Sequence, residues 1–490
     1  MLAAMGRVLA GAVVAAAVGV VSIAVAGSGT SVARTKVTVW AAPSHVTATS
    51  YGGLGYGGYA PTSGAMITEQ RVIDLPGDVD SGDIRVAGVA ATVDPASVQL
   101  RDLTEPTAAI TAQRFVPAAT SPTEILQRSV GSPVTVVTTK GEVSGVLRSA
   151  DESTLVVEVG TGDRRSLQVL RRDGYVQDVK LPASEGIDRP SLVWRVAAKK
   201  PGKHTIELSY RADGMSWAAD YLAVLDDTNT ALDFSAWATI RNTTGATFDG
   251  VELTLVSGGN TGPSTYNPYG GAGFRGAAPA PPVRYTVPAP VHLAAGQAVQ
   301  VELMPTKKAA KAKPIVLFEA MPDPSLGFQA YPNTDCNQFN GVGMGNGRAE
   351  IAVEIDVPTK EPLPEGRVRA FRRKGERLEI VSEDQLRSSA GVARIRLSAD
   401  AEISGERKAV ACTYDERTRT ITEKVEIRVE NKSKRASEVV VREFAWRWPM
   451  WKLDSEDAKS ARGGPQTLEY RASIPAGGKR TITYAVVYSW

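Results

Sequence analysis

The sequence predicts an all-β protein with several domains, on two observations. Apolar residues recur at every second position in segments such as 35–40, 425–429 and 482–490, so each segment can bury one face and expose the other. Clusters of Gly, Pro, Asn and Asp separate such segments at short spacing, as in β-sandwiches and β-barrels. We therefore expect an N-terminal β-sandwich, a small barrel of the SH3-like or Sm-like kind, and a large C-terminal β-sandwich region.

The first element, residues 1–26, has the pattern of a secretory signal peptide. Arg7 precedes an apolar run from Leu9 to Val25, which ends in the small-x-small pattern that signal peptidase recognises. An uncleaved anchor is the alternative, but the run is rich in Ala, Gly and Val and is barely long enough for about 30 Å of hydrocarbon. We expect export by this signal peptide and no transmembrane span after its cleavage.

Beyond residue 34 the chain divides into three predicted regions. They are an N-terminal β domain at 35–120, the small β-barrel at 130–182, and the C-terminal β-sandwich region at 183–490. Two Gly/Pro-rich stretches, 257–290 and 322–347, interrupt the last region. Such segments cannot bury enough apolar surface to offset chain entropy, so we expect surface loops, which a rigid scaffold can also present to a partner.

Two short segments favour helical turns. Ser121-Pro-Thr-Glu124 has the pattern of a capping box with Pro at the first helical position, and Ile125 and Leu126 follow it. Ser382–Leu386 is a second candidate for a helical turn. The sequence contains no long helical pattern.

The net charge of +3 is almost balanced, and the sequence contains no basic stripe. A nucleic-acid partner is therefore not expected, because binding to a phosphate backbone depends on clustered Lys and Arg. The lysines of Lys307–Lys313 are a local exception. We interpret them as a solvated linker between strands, with contact to an anionic envelope polymer or membrane surface as the alternative.

The residue types that carry out most enzyme chemistry are scarce. The histidines His45, His204 and His292 and the two cysteines lie at no metal-ligand spacing, and no nucleophile elbow, phosphate loop or His-Glu-x-x-His motif is present. We expect no catalytic residue, no metal and no cofactor, and hence a protein that is not an enzyme. A hydrolase of envelope polysaccharide with paired carboxylates is the alternative, although the sequence singles out no such pair.

Cys336 and Cys412 are the two cysteines of the chain. In an oxidising compartment they are expected to form a disulfide, which would close a long loop and stabilise the fold. The alternative is two unpaired thiols, one buried and one in a loop.

The densest aromatic cluster runs from Phe444 to Trp451. On a strand, Phe444, Trp446 and Trp448 would share one face, with Glu443 and Arg447 on the other. If this row is buried, it is part of the core. If it is exposed, Trp446, Trp448 and Trp451 are candidates for stacking on the sugar rings of a ligand.

Several segments together resemble the mucoidy-inhibitor-A-like secreted family, whose members share a C-terminal domain of unknown function. The segments are Pro190–Val196, His204–Tyr210, Gly214–Tyr221, Ala238–Gly245, Phe248–Leu255 and Pro475–Gly478. The resemblance implies association with the cell envelope and supplies no catalytic residues. Many relatives carry a coiled coil between their N-terminal and C-terminal β domains, whereas this chain has the predicted small barrel there.

We therefore expect a non-catalytic, extracytoplasmic protein of the periplasm or cell envelope. Its role would be binding or structural, with an envelope protein or a glycan as the unknown partner. An outer-membrane β-barrel is a further alternative, because the alternating C-terminal segment 482–490 is rich in aromatic residues. Against it, most other predicted strands are shorter than a membrane crossing needs.

Overall fold

The computed structural model describes residues 24–25, 31–41, 64–75, 79–182, 189–198, 200–257, 282–321, 332–336, 347–356, 363–389, 392–464 and 466–490. The predicted signal peptide, 1–26, lies outside the described residues apart from Ala24–Val25. Most of each Gly/Pro-rich stretch, 257–290 and 322–347, also lies outside them.

Within the described residues the chain is almost entirely β-structure, which confirms the predicted all-β, multidomain fold class. The strands, in chain order, are β1 Ala24–Val25, β2 Ser31–Trp40, β3 Gly64–Leu75, β4 Val79–Ala87, β5 Gln99–Asp102, β6 Ala109–Val116, β7 Pro133–Thr138, β8 Gly141–Ala150, β9 Thr154–Val159, β10 Ser166–Arg171, β11 Val176–Lys180, β12 Ser191–Ala198, β13 Gly202–Asp213, β14 Met215–Leu225, β15 Ala231–Asn242, β16 Phe248–Ser257, β17 Val283–Thr286, β18 Val291–Leu293, β19 Gln297–Met321, β20 Gly347–Asp356, β21 Gly366–Lys374, β22 Arg377–Ser389, β23 Val392–Asp415, β24 Thr420–Asn431, β25 Ser437–Phe444, β26 Trp451–Glu456, β27 Ala461–Gly464, β28 Thr467–Ile474 and β29 Lys479–Ser489. Helix α1 spans Pro122–Arg128, and Pro95–Ser97 and Gly162–Arg164 form 3-10 turns. Among the described residues, no helix has the length and apolar character to cross a membrane.

Helix α1 begins where the capping box predicts. Ser121 Oγ accepts a hydrogen bond from the Glu124 backbone N–H (3.1 Å), and the Glu124 carboxylate accepts one from the Thr120 backbone N–H (2.6 Å). The prediction of a second helical turn at Ser382–Leu386 is wrong, because these residues belong to β22 and pair with β21. Cross-strand pairing outweighs the weak local preference of a short polar segment.

The chain divides into two compact units, whose boundaries differ from those of the predicted domains. One unit comprises 1–34 and 69–209, and the other comprises 35–68 and 210–490. The start of the predicted 35–120 domain falls in the second unit, where β2 pairs in parallel with β16. The start of the predicted 183–490 region falls in the first unit, where β12 lies between β4 and β6. Both pairings join segments far apart in sequence, which local patterns cannot reveal.

The first unit contains the predicted five-strand unit, but its sheet is open. The sheet has the order β10-β9-β8-β7-β11, and among the described residues the outer strands β10 and β11 do not pair with each other. The closure predicted for the barrel at 130–182 is therefore wrong. Leu126 of α1 packs into the core that Val136, Leu147 and Leu155 form, so a helix covers apolar surface that barrel closure would otherwise cover. A second sheet of this unit has the order β1-β4-β12-β6.

The second unit contains one large sheet and a smaller group of strands around β16. The large sheet has the order β26-β29-β24-β23-β22-β21-β14-β15-β19-β25-β28-β27, and β20 pairs with both β19 and β23. β16 pairs with β2, β17 and β18. The inward faces of β24, β25, β28 and β29 form an extensive core cluster. The indole of Trp217 donates a hydrogen bond to the Val256 carbonyl (3.1 Å), which ties β14 to β16.

A glycine in β23 makes room for an aromatic ring of this core. A Cβ atom at Gly405 would lie 2.3 Å from Cζ of Phe318, a buried side chain of β19. Since a close-packed interior leaves the ring nowhere to move, residue 405 must remain a glycine for this packing. Gly347 of β20 pairs with Gly405 across the ladder, and nothing lies within 4 Å of a Cβ placed there.

Gly405→Ala is expected to destabilise the second unit by about 1–3 kcal/mol, because the added methyl group displaces the Phe318 ring. Gly347→Ala is the matched control and should change the free energy of unfolding by less than about 0.5 kcal/mol. Urea unfolding followed by tryptophan fluorescence measures both variants. Equal effects at the two positions would contradict the packing described.

Candidate functional site

The aromatic residues that the sequence singled out lie at the end of the C-terminal core, not along one strand. β25 ends at Phe444 and β26 begins at Trp451, so the expected single-strand row is wrong. Trp446, Trp448 and Trp451 are half-buried, and the last two pack against the core cluster. The Arg447 guanidinium lies 4.5 Å from the Trp446 ring centroid, and a second arginine covers Trp451. A cation thus already occupies a face of two of the three rings, and ligand binding by them stays a prediction.

A disulfide joins Cys336 to Cys412, with Cα atoms 5.7 Å apart. It ties the described segment 332–336 to β23. The fully buried Arg447 binds the same segment, because its Nη1 donates hydrogen bonds to the carbonyls of Asn333 (3.1 Å) and Asp335 (3.1 Å). One covalent bond and one buried guanidinium therefore hold this segment beside the aromatic residues.

Two buried glutamates pair with buried arginines in this core. Arg447 Nη2 donates to Glu423 (3.3 Å), and Arg407 Nε donates to Glu443 (2.8 Å). The Tyr484 hydroxyl donates to the same Glu443 oxygen (2.5 Å). Burial raises the pKa of Glu443, although Arg407 and Tyr484 favour its charged form. These carboxylates are bound within the core by their own neighbours, so the arrangement stabilises packing.

A second group of charges lies on a partly exposed face of the large sheet. Arg394 bridges Glu354 (2.8 Å) and Glu469 (2.6 Å), and Arg471 also contacts Glu354 (2.8 Å). Burial raises the pKa of Glu354, but hydrogen bonds from Arg471 and Arg394 outweigh it and hold that pKa below its ordinary value. A carboxylate held ionised in this way is a poor general acid at neutral pH. Within the described part of the chain, no three His, Cys, Asp or Glu side chains form a group that could hold a metal ion.

The buried side chain of Asn242, at the end of β15, joins three parts of the backbone. Its Nδ2 donates to the carbonyls of Ala246 (2.8 Å) and Leu293 (3.0 Å), and its Oδ1 accepts from the Thr244 backbone N–H (3.1 Å). The Asn242 carbonyl accepts from the Gly296 N–H (2.8 Å), and Gly296 has a positive φ of 73°. Asn242 therefore fixes where β18 ends and where β19 begins.

We call this set of contacts the asparagine clamp. Next to it, an open groove of about 720 Å³ lies between the two segments that separate from each other there. One wall is the connection 286–294, with Val287, Pro288 and Pro290, and the other is the start of β19. The residues of β19 that line it include Val299, Val301 and Leu303 at alternate positions, together with Gln297, Ala298, Glu302 and Pro305. The groove has the concave and mostly apolar character of a binding site. It is the candidate functional site of the described chain.

Sequence reasoning did not identify the groove residues. None of Trp446, Trp448, Trp451, Cys336 or Cys412 lines it. The alternation of Val299, Val301 and Leu303 is visible in the sequence and predicts a strand with one apolar face. It does not reveal that this face stays half-exposed, because that depends on what packs over it.

Arg447→Met is expected to destabilise the second unit by about 3–5 kcal/mol, because it leaves the Glu423 charge buried without its cation. Adding Glu423→Leu should restore much of that loss, since no buried charge then remains. Urea unfolding of the single and double variants measures the coupling.

Arg369→Met is the matched control, because Arg369 pairs with Glu383 on the surface of the same unit (2.8 Å). It should cost less than about 1 kcal/mol. A double variant that is no more stable than Arg447→Met alone would show that Arg447 and Glu423 do not act as a pair.

Comparison with known proteins assigns a family to the region that contains the groove, the asparagine clamp and the C-terminal core cluster. No curated protein and no solved structure shows a significant match to the chain. Residues 206–490 match the family model described as a domain of unknown function, DUF4139. This match covers more than half of the chain, and it spans every strand from β14 to β29. The chain therefore belongs to the DUF4139 family.

Proposed function

We propose that this protein is a non-catalytic scaffold of the cell envelope, which holds a partner in the groove between 286–294 and the start of β19. The proposal rests on the side chains that line the groove. Its side chains are mainly apolar, and Glu302 is the one carboxylate among the lining residues. A glycoside hydrolase needs two carboxylates across the scissile bond, which this lining does not supply. An apolar groove with few polar groups suits binding without turnover.

The compartment is part of the same proposal. The disulfide between Cys336 and Cys412 supports an oxidising environment, because such bonds persist outside the reducing cytosol. The signal-peptide pattern of residues 1–26 favours export to the periplasm or cell envelope. The resemblance to the mucoidy-inhibitor-A-like family agrees with this location and with a partner that is an envelope protein or a glycan.

Fractionation of the host cell, followed by labelling of each fraction with a thiol-reactive maleimide, tests the location. The full chain should appear in the extracytoplasmic fraction, and its two cysteines should react only after reduction. Cys412→Ser is the control, because it leaves Cys336 free to react without reductant. Recovery of the chain from the cytoplasm with both thiols reactive would overturn the proposal.

Incubation of the purified chain with envelope polysaccharide tests the absence of catalysis. We expect no release of reducing ends by either the wild type or Glu302→Gln. Release that Glu302→Gln abolishes would instead assign hydrolysis to the groove.

A further inference from the structure

The second unit contains the same asparagine clamp twice. Asn431, at the end of β24, repeats the contacts of Asn242: its Nδ2 donates to the carbonyls of Arg435 (2.7 Å) and Ile474 (3.1 Å), and its Oδ1 accepts from the Ser433 N–H (2.9 Å). In both copies these partners lie two and four residues after the asparagine, and the third contact is the last residue of a short strand. A glycine of positive φ lies three residues after that contact and before the next strand, Gly296 in one copy and Gly477 in the other.

The strands around the two clamps also correspond. The first copy consists of β15, β16, β18 and β19, and the second of β24, β25, β28 and β29. In each copy the first and last of these strands pair antiparallel, as do the middle two. In each copy the second strand also has a parallel neighbour, β2 beside β16 and β19 beside β25. The region is therefore an internal structural duplication.

The two copies differ at the outer edge of their last strand. In the second copy, β29 pairs with β24 on one edge and with β26 on the other, and β26 runs antiparallel to it. In the first copy, residues 297–311 of β19 pair with β15 on one edge. No described residue pairs with the other edge of β19 over this range. The first copy thus lacks a counterpart of β26 within the described residues.

The open edge of β19 runs beside the groove. Val299 pairs with Ile240 and Val301 with Ala238, so these valines share the sheet face whose neighbours on β15 are fully buried. In the second copy, β26 covers the next stretch of the corresponding edge, because it pairs with residues 484–488 of β29, which correspond to residues 304–310 of β19. Val299, Val301 and Leu303 are half-buried and line the groove, and no described residue pairs with the outer edge of β19 beside them. An apolar face beside an open strand edge is the site used in β-strand addition.

We propose that β19 accepts an extended segment of a partner protein, which pairs antiparallel with residues 297–304 and inserts alternate apolar side chains into the groove. This deepens the proposed function, on which it rests, by naming the partner as a polypeptide strand. Pro305 has no backbone N–H, so it limits the ladder to the residues before it.

The lysines of β19 indicate the orientation of the partner segment and the charge at one of its ends. Lys307, Lys308 and Lys311 continue β19 beyond Pro305, and within the described chain only Lys308 has an ion-pair partner, Asp233. Acidic residues of the partner would therefore lie beside these lysines. In an antiparallel segment they precede the apolar residues in sequence.

Fluorescence anisotropy with a labelled synthetic peptide tests the proposal on the full chain. The probe has acidic residues at its N-terminal end followed by alternating Val and Thr, and a peptide of reversed sequence is the control. The probe should bind at least about tenfold more tightly than the reversed peptide. N-methylation of alternate backbone amides of the probe, on the edge that faces β19, should weaken binding by a similar factor, since strand addition depends on main-chain hydrogen bonds.

Two neighbouring substitutions on β19 provide matched variants. Val301→Lys places a charge in the groove and should weaken binding at least about tenfold, whereas Gln300→Lys, on the opposite face, should leave it within about twofold. Thermal unfolding of both variants checks that they remain folded, as expected for half-exposed and exposed positions.

Three outcomes of the peptide measurements would overturn the strand-acceptor proposal. They are no binding of the probe, equal binding by Val301→Lys, and binding that N-methylation does not weaken. Dimerisation of the chain that Val301→Lys abolishes would also overturn it, by assigning the edge to a second copy. None of these results affects the fractionation and thiol measurements, so the strand acceptor can fail while the envelope scaffold stands.

Discussion

A buried asparagine that binds three backbone segments is the interaction on which the rest of the second unit depends. Buried peptide groups need hydrogen-bond partners, and turns and strand ends have carbonyls that no ladder satisfies. Asn242 and Asn431 supply those partners with a single amide each. By fixing where a short strand ends and the next begins, each clamp sets the angle at which the two segments separate. The groove is the consequence of that separation in the first copy.

The two copies differ in how their cores are stabilised. Glu423 lies eight residues before Asn431, and the apolar Phe234 lies eight residues before Asn242. The second copy therefore carries a buried, ion-paired glutamate where the first carries a buried aromatic residue. Removing one member of such a pair leaves an uncompensated charge, which makes these residues interdependent. Their carboxylates serve this internal balance, and the site with access to a ligand lies in the other copy.

The sequence predicts the local structure better than the long-range pairing. Alternating apolar residues are enough to predict strands, and Ser121 with Glu124 is enough to predict α1, because both signals act over a few residues. The neighbours of β2 and β12 lie far away in the chain, so local patterns cannot reveal these pairings. The groove cannot be predicted from the sequence for a related reason. Val299 and Val301 look like ordinary core positions, and only the tertiary structure reveals that they line a groove and are only partly buried.

Hydrogen–deuterium exchange of the full chain tests most directly whether one copy has an open edge. A strand paired on both edges protects all its amides, whereas a strand paired on one edge exposes every second amide to solvent. We expect fast exchange at alternate amides of residues 298–304 in β19 and slow exchange throughout residues 484–488 of β29, which pairs on both edges there. Slow exchange across both segments would mean that the edge of β19 is already covered, and it would contradict the open edge described for the first copy.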